Sequence, residues 1–125
     1  MRILIVDDDR IVLESCRRIL EAEGITAHTA ENAETARAVL ETEGPFDVIM
    51  TDIKMPGSDG FELIRPIRKT YPEMAILMMT GYLIPETIRK GTESGADLLI
   101  AKPFTPEELL ASVHDAVAAV RFRTE

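Results

Sequence analysis

The sequence predicts an α/β domain, a doubly wound parallel sheet of five strands with helices on both faces. Three observations predict it. Short apolar runs alternate with segments of helical periodicity from end to end, the pattern of a parallel sheet crossed over by helices. The first run, Ile3-Leu4-Ile5-Val6, is apolar at every position, as expected of a strand buried on both faces. Finally, Asp7-Asp8, Asp52, Thr80 and Lys102 each follow an apolar run, and a parallel sheet gathers the carboxyl ends of its strands along one edge.

The elements follow in order. After the first strand, Val12, Cys16, Ile19 and Leu20 recur at helical spacing, and Gly24 is placed to end that helix in the left-handed conformation. Ile25 to Thr29 reads as a more polar strand near an edge. Ala33, Ala36, Val39 and Leu40 mark a second helix, stopped by Gly44-Pro45. Asp47 to Thr51 is the third strand. Met55-Pro56-Gly57 is a turn ahead of the third helix, which Asp59 and Glu62 open as a capping box and Pro66 is expected to interrupt with a kink. Ala75 to Met79 is the fourth strand. Pro85 to Ser94 is a weak helix, because Gly91 costs about 1 kcal/mol relative to Ala and Thr87 and Thr92 add smaller penalties. Gly95 closes it, and low local stability makes 85–95 the segment expected to move on switching. Leu98 to Ala101 is the fifth strand. Thr105, Pro106 and Glu108 form a strong helix start, Leu109, Leu110, Val113, Val117 and Val120 run down one side, and Arg121 and Arg123 suit a helix C-terminus.

Composition narrows the function. A chain of 125 residues fits one domain, and 46% apolar residues make it globular. The 22 acidic against 14 basic side chains, a net charge of −8, argue against contact with a phosphate backbone. The lone Cys16 reads as a small buried residue in a reducing compartment. His28 and His114 stand apart, without a second ligand at metal spacing, and read as packing or surface residues. Strand pattern begins at Arg2, and no apolar stretch approaches membrane-spanning length. A cytoplasmic protein is the expectation.

The strand-end residues form a chemical set. Paired carboxylates such as Asp7-Asp8 suit magnesium, a hard cation held by carboxylates, waters and phosphate. Asp9 reads instead as a helix cap. Asp52 is ionised at neutral pH and can attack phosphorus without a separate base. Three neighbouring carboxylates against one lysine leave a charge deficit that a divalent cation neutralises, and without metal at least one acid should titrate high. The Thr80 hydroxyl can donate to a phosphoryl oxygen, with Gly81 admitting a close backbone approach. Lys102 can pair with a carboxylate at rest and with a phosphoryl group afterwards. Phosphoryl transfer asks mainly for this kind of positioning and charge stabilisation.

In the segments Ile3 to Asp9, Val48 to Gly60, Met78 to Gly81 and Ala101 to Phe104, the chain resembles the receiver domain of two-component response regulators over nearly its whole length. The resemblance implies a flavodoxin-like sheet of order 2-1-3-4-5, with a receiver domain over 1–121 and a short tail over 122–125. It implies that Asp52 accepts a phosphoryl group from the phosphohistidine of a histidine kinase or phosphotransfer protein. Asp8 would ligate Mg²⁺ directly and Asp7 through water, with Asp52 and the Lys54 carbonyl completing the protein ligands. Thr80 and Lys102 would contact the phosphoryl oxygens, and the Lys102–Pro103 peptide would be cis. The product is a conformational signal to a downstream protein, a fused output domain or a phosphorylation-dependent dimer; the only catalysis is the domain's own phosphorylation and dephosphorylation. The chain is expected to be either a receiver acting alone or a module of a longer regulator.

Two positions depart from the pattern. Leu99 stands where the family often places Tyr or Phe as a rotamer switch coupled to the threonine. Tyr82, two residues past Thr80, is a candidate substitute, and with Lys54 it flanks the route of water to an aspartyl phosphate. Slow self-hydrolysis is therefore expected. Other classes fit less well. An aspartate-nucleophile phosphatase of the haloacid dehalogenase type needs an acid two residues after its nucleophile, where this chain has Lys54. A flavodoxin-like cofactor site needs a hydroxyl-rich phosphate loop where this chain has Asp7-Asp8-Asp9. A degenerate receiver would lack some of the site residues, and all are present.

Overall fold

The computed structural model describes residues 1–124, with side chains described through residue 122. Its elements are β1 (Arg2–Val6), α1 (Arg10–Ala22), β2 (Thr26–Ala30), α2 (Ala33–Glu43), β3 (Val48–Asp52), β4 (Lys54–Met55), β5 (Ser58–Asp59), α3 (Gly60–Thr70), β6 (Ala75–Thr80), α4 (Pro85–Ser94), β7 (Leu98–Ala101) and α5 (Pro106–Thr124). Five strands form one parallel sheet in the order β2-β1-β3-β6-β7. This is the expected 2-1-3-4-5 arrangement, since the two short strands β4 and β5 pair only with each other. Of the expected tail, 122–124 continue α5, and Glu125 lies outside the described residues, as does the Arg123 side chain.

Period-two alternation sends each central strand into two cores. Leu4, Val6, Ile49, Ile76 and Met78 face α2 and α3, meeting Leu40, Leu63, Ile64 and Ile67. Ile3, Ile5, Val48, Met50 and Leu77 face α1 and α5, meeting Leu13, Cys16, Leu20, Leu109 and Val113. Fully burying a side chain of this size stabilises by roughly 1.5–3 kcal/mol relative to exposure. The two layers therefore hold β1, β3 and β6 rigidly and fix where their ends point.

Local chemistry sets the helix ends. The Asp9 carboxylate accepts from the Ile11 N–H at 2.9 Å, the cap expected for α1. Thr105 and Glu108 make a reciprocal capping box at the start of α5, 3.1 Å in each direction. At α3 the Asp59 carboxylate accepts from the Glu62 N–H at 2.8 Å, while the Glu62 carboxylate takes the Ser58 hydroxyl. Pro66 does not interrupt α3, which runs unbroken from Gly60 to Thr70. Pro66 and Glu62, whose carbonyl cannot receive a bond from the proline, are both exposed, so that carbonyl is open to water. The peptide bonds Gly44–Pro45 and Lys102–Pro103 are cis, the second as expected.

Between β3 and α3 the turn is a small hairpin. Lys54 pairs with Asp59 and Met55 with Ser58. Pro56 and Gly57 occupy the corner, and Gly57 has φ of +80°, the geometry of a type II turn.

On the same face of the sheet as α3, Gly91 of α4 lies against Leu99 of β7: an added Cβ would sit 2.9 Å from one Leu99 methyl carbon and 3.0 Å from the other. Gly91→Ala gains about 1 kcal/mol of helix propensity but overpacks this contact, at about 1–3 kcal/mol. We expect Gly91→Ala to destabilise the domain, and to stabilise it by about 1 kcal/mol once Leu99→Ala opens the space. Urea titration of the two single variants and the double variant measures the coupling, and strict additivity would rule out the contact.

Candidate functional site

The crevice of the site opens where the chain changes direction in the sheet. β1 leads outward to β2, then β3 returns to the other side of β1, so the carboxyl ends of β1 and β3 border a gap that no crossover covers. Asp7 and Asp8 follow β1, and Asp52 is the last residue of β3. The three carboxylates each present an oxygen within 4.8 Å of the others, a cluster able to hold a metal ion. Asp7 is fully buried, Asp52 half-buried and Asp8 exposed.

Local backbone contacts orient each acid. The Asp7 carboxylate accepts from the Asp9 N–H at 2.9 Å, and the Asp52 carboxylate from the Ile53 N–H at 2.9 Å. Gly60 allows α3 to start against this strand end. A Cβ there would lie 2.3 Å from the Asp52 carbonyl oxygen, so any side chain would push the helix off the acceptor segment.

β7 delivers Lys102 from the far side of β6. Its ammonium lies 2.7 Å from Asp7 and 3.4 Å from Asp52. Pairing with a carboxylate at rest was expected, and the structure selects Asp7 as the nearer partner. Burial works against the charged lysine, but the hydrogen bond to Asp7 and the pull of Asp52 and Asp7 outweigh it and raise the pKa. Asp52 is the acid that titrates high. Burial raises it first and the Asp7 charge second, and Lys102 with the Ile53 N–H offsets this only in part. Excess negative charge thus marks this cleft, and it is the feature a divalent cation would relieve.

Thr80, at the end of β6, is buried, and its hydroxyl accepts from the Tyr82 N–H at 3.0 Å. An added Cβ at Gly81 would meet nothing within 4 Å, so in this state nothing crowds that glycine. Asp52, Thr80 and Lys102 line one cavity of about 560 Å³ together with Lys54 and Tyr82. Tyr82 is 67% exposed, and the Lys54 ammonium sits 5.3 Å from the centre of its ring. The pair forms a movable rim, because neither residue is locked by burial.

Sequence reading missed the outer wall of this cavity, where Phe61 from α3 joins Glu86, Thr87 and Lys90 from α4. The four-residue spacing of Glu86 and Lys90 puts both on one helix face, which was the only available signal. Cys16 is buried as expected, and desolvation raises its thiol to about 11. His28 is half-buried with its ring edge-on to Phe46, and His114 is exposed. Among the described residues, no helix is long and apolar enough to cross a membrane.

Comparison with known proteins agrees with this geometry. The family model of the response regulator receiver domain matches residues 3–114. The response regulator MprA of Mycolicibacterium vanbaalenii is 39% identical over 111 residues, which is 89% of this chain and 48% of that protein. The chain spans about half the length of the curated relatives it matches. A CheY-like receiver domain protein from Methanospirillum hungatei superposes with a TM-score of 0.89 at 36% identity, covering 98% of this chain and 97% of that one. NtrX from Brucella abortus superposes with a TM-score of 0.89 at 30% identity, covering 98% of this chain but 28% of that one. With a matching strand order, a family model spanning most of its length and relatives close to two-fifths identical, this chain belongs to the response regulator receiver domain family.

Proposed function

We propose that Asp52 is the phosphoryl acceptor of this receiver domain and that the aspartyl phosphate switches the domain between two conformations. The observation that carries the reading is the convergence of three carboxylates within 4.8 Å, with the Lys102 ammonium 2.7 Å from one and 3.4 Å from another. The donor set is all oxygen and rich in charge, which fits Mg²⁺. Asp7, Asp8 and Asp52 with the Lys54 carbonyl would hold the ion, which neutralises charge on the reacting phosphoryl oxygens when bound.

The chain's own residues do the rest. Asp52 supplies the nucleophilic oxygen. Lys102 is poised to exchange a carboxylate partner for the phosphoryl group, and the Thr80 hydroxyl, now an acceptor from Tyr82, can turn to donate. Those two movements draw on the ends of β6 and β7 and bias a pre-existing equilibrium. Leu99 bears directly on Gly91, so coupling to α4 passes through that contact rather than through an aromatic rotamer. The Lys54–Tyr82 rim shields the acyl phosphate from water.

On this reading the domain catalyses only its own phosphorylation and dephosphorylation. Its donor is a histidine kinase or phosphotransfer protein. Its readers are a downstream protein or an output domain, as the length of its relatives allows. The lone buried thiol fits the reducing cytoplasm.

Incubation with acetyl phosphate and Mg²⁺, followed by intact-mass measurement, tests the assignment. The wild type should gain the mass of one phosphoryl group and Asp52→Ala none. Equal labelling of both would overturn it.

A further inference from the structure

The cavity at Asp52 is larger than the group it is proposed to receive. Its volume is about 560 Å³, whereas a phosphoryl group has four heavy atoms and takes the room of a few waters at about 30 Å³ each. The cavity lining extends past Asp52, Thr80 and Lys102 to Lys54 and Tyr82 and to Phe61, Glu86, Thr87 and Lys90 of α3 and α4.

Apart from Lys102, the cavity lining carries two ammonium groups, Lys54 and Lys90, in a chain whose net charge is −8. The Lys54 ammonium lies 5.3 Å from the centre of the Tyr82 ring, and the Lys90 ammonium lies 4.8 Å from that of Phe61. A ring face attracts an ammonium without neutralising it. Among the described residues, no carboxylate comes within ion-pair distance of either lysine. Glu86 is the one acid that α4 adds to the cavity. Lys102, by contrast, is already engaged by Asp7 and Asp52. Two positive charges without an ion-pair partner among the described residues thus line the same cavity as the acceptor.

We propose that Lys90, with Lys54, forms a leaving-group subsite that sets donor preference toward phosphoryl donors whose leaving group departs as an anion, acyl phosphates above all. The proposal rests on Asp52 being the acceptor. In the transfer an Asp52 carboxylate oxygen forms the bond to phosphorus and the bond from phosphorus to the acyl oxygen breaks. The electron pair stays with the departing carboxylate, and no proton is required. The carboxylate's charge develops only as that bond breaks, so lysines held nearby act more on the transition state than on the bound donor. A phosphoramidate donor, whose leaving group departs as a neutral amine, draws no such benefit.

The test compares wild type, Lys90→Met and Lys90→Arg with acetyl phosphate and with phosphoramidate, at fixed Mg²⁺, reading the initial rate of Asp52 labelling against donor concentration. Lys90→Met should lower the maximal rate with acetyl phosphate roughly five- to tenfold, less than loss of a fully enclosed oxyanion donor because Lys90 is exposed. The phosphoramidate rate should stay within about twofold, and Lys90→Arg should retain most of the acetyl phosphate rate because it keeps the charge. An equal fall with both donors, a fall confined to the half-saturating concentration, or no fall would each overturn the subsite while leaving Asp52 as acceptor. Absence of labelling in the wild type with either donor would overturn the acceptor assignment and the subsite with it.

Discussion

Lys102→Met is expected to destabilise the metal-free domain by about 3 kcal/mol, at the low end of what breaking a buried ion pair costs. The size follows from the asymmetry of the pair. The Asp7 side chain is 1% exposed and the Lys102 side chain 23%. Removing the lysine therefore strands a carboxylate that water cannot reach, whereas the lysine itself was partly solvated. Asp7 keeps only the Asp9 N–H at 2.9 Å, which cannot replace a full positive charge. A divalent cation bound among the three acids supplies the missing charge, so the deficit should shrink when Mg²⁺ is present. Saturating ligand at a hundred times its dissociation constant contributes about 2.7 kcal/mol on its own, so the comparison must be made between variants at matched saturation. Urea unfolding of both proteins with and without Mg²⁺ decides the matter. A metal-free loss below about 1 kcal/mol, the level of a surface pair, would mean that Lys102 does not balance the charge of this cleft.

Asp52→Asn should make the metal-free domain more stable at pH 7, by on the order of 1 kcal/mol, the usual size of a single stabilising change. The sign comes from linkage. Burial and the neighbouring Asp7 raise the Asp52 pKa above its ordinary value. The native state then holds this proton at pH values where the unfolded chain, near its ordinary value of about 3.9, has released it. In that window the native state binds more protons, so stability falls as pH rises through it. Above the window the full cost of the ionised carboxylate is present. Asparagine keeps an oxygen for the Ile53 N–H and carries no charge. Its advantage should accordingly be largest near neutrality and fade as pH drops toward the unfolded value. Thermal unfolding of both proteins from pH 4 to pH 7 without metal follows this directly. An advantage that grew toward acid would reverse the assigned cause. Mg²⁺ should narrow the gap at pH 7, since the cation relieves in the wild type the repulsion that the substitution removes.

These two expectations depend on details that differ in how far they could be read along the chain. The starts of α1, α3 and α5 were legible because a cap is a contact between residues three apart or fewer, as in Asp9 to Ile11, Asp59 to Glu62 and Thr105 to Glu108. The hairpin at Lys54–Asp59 was visible only as a turn, since its strands are two residues each and carry no periodicity. Pro66 leaves α3 unbroken for a tertiary reason: it and Glu62 lie on an exposed face, where the freed carbonyl is open to water. Leu98, Leu99 and Ile100 were legible as a strand but not in their burial: they are half-buried, because β7 closes the sheet as an edge.

The order of residues alone determined the alternation of strands and helices, the two-sided burial of the central strands and the identity of the strand-end groups. Those properties follow from short-range periodicity and from covalent neighbours, which a linear chain records in full. Only the tertiary structure decided that Lys102 lies nearer Asp7 than Asp52, that Lys90 and Phe61 wall the acceptor cavity, and that Leu99 rests on Gly91. Each is a contact across strand register or between helix faces, where a shift of one residue would turn the side chain to the opposite side.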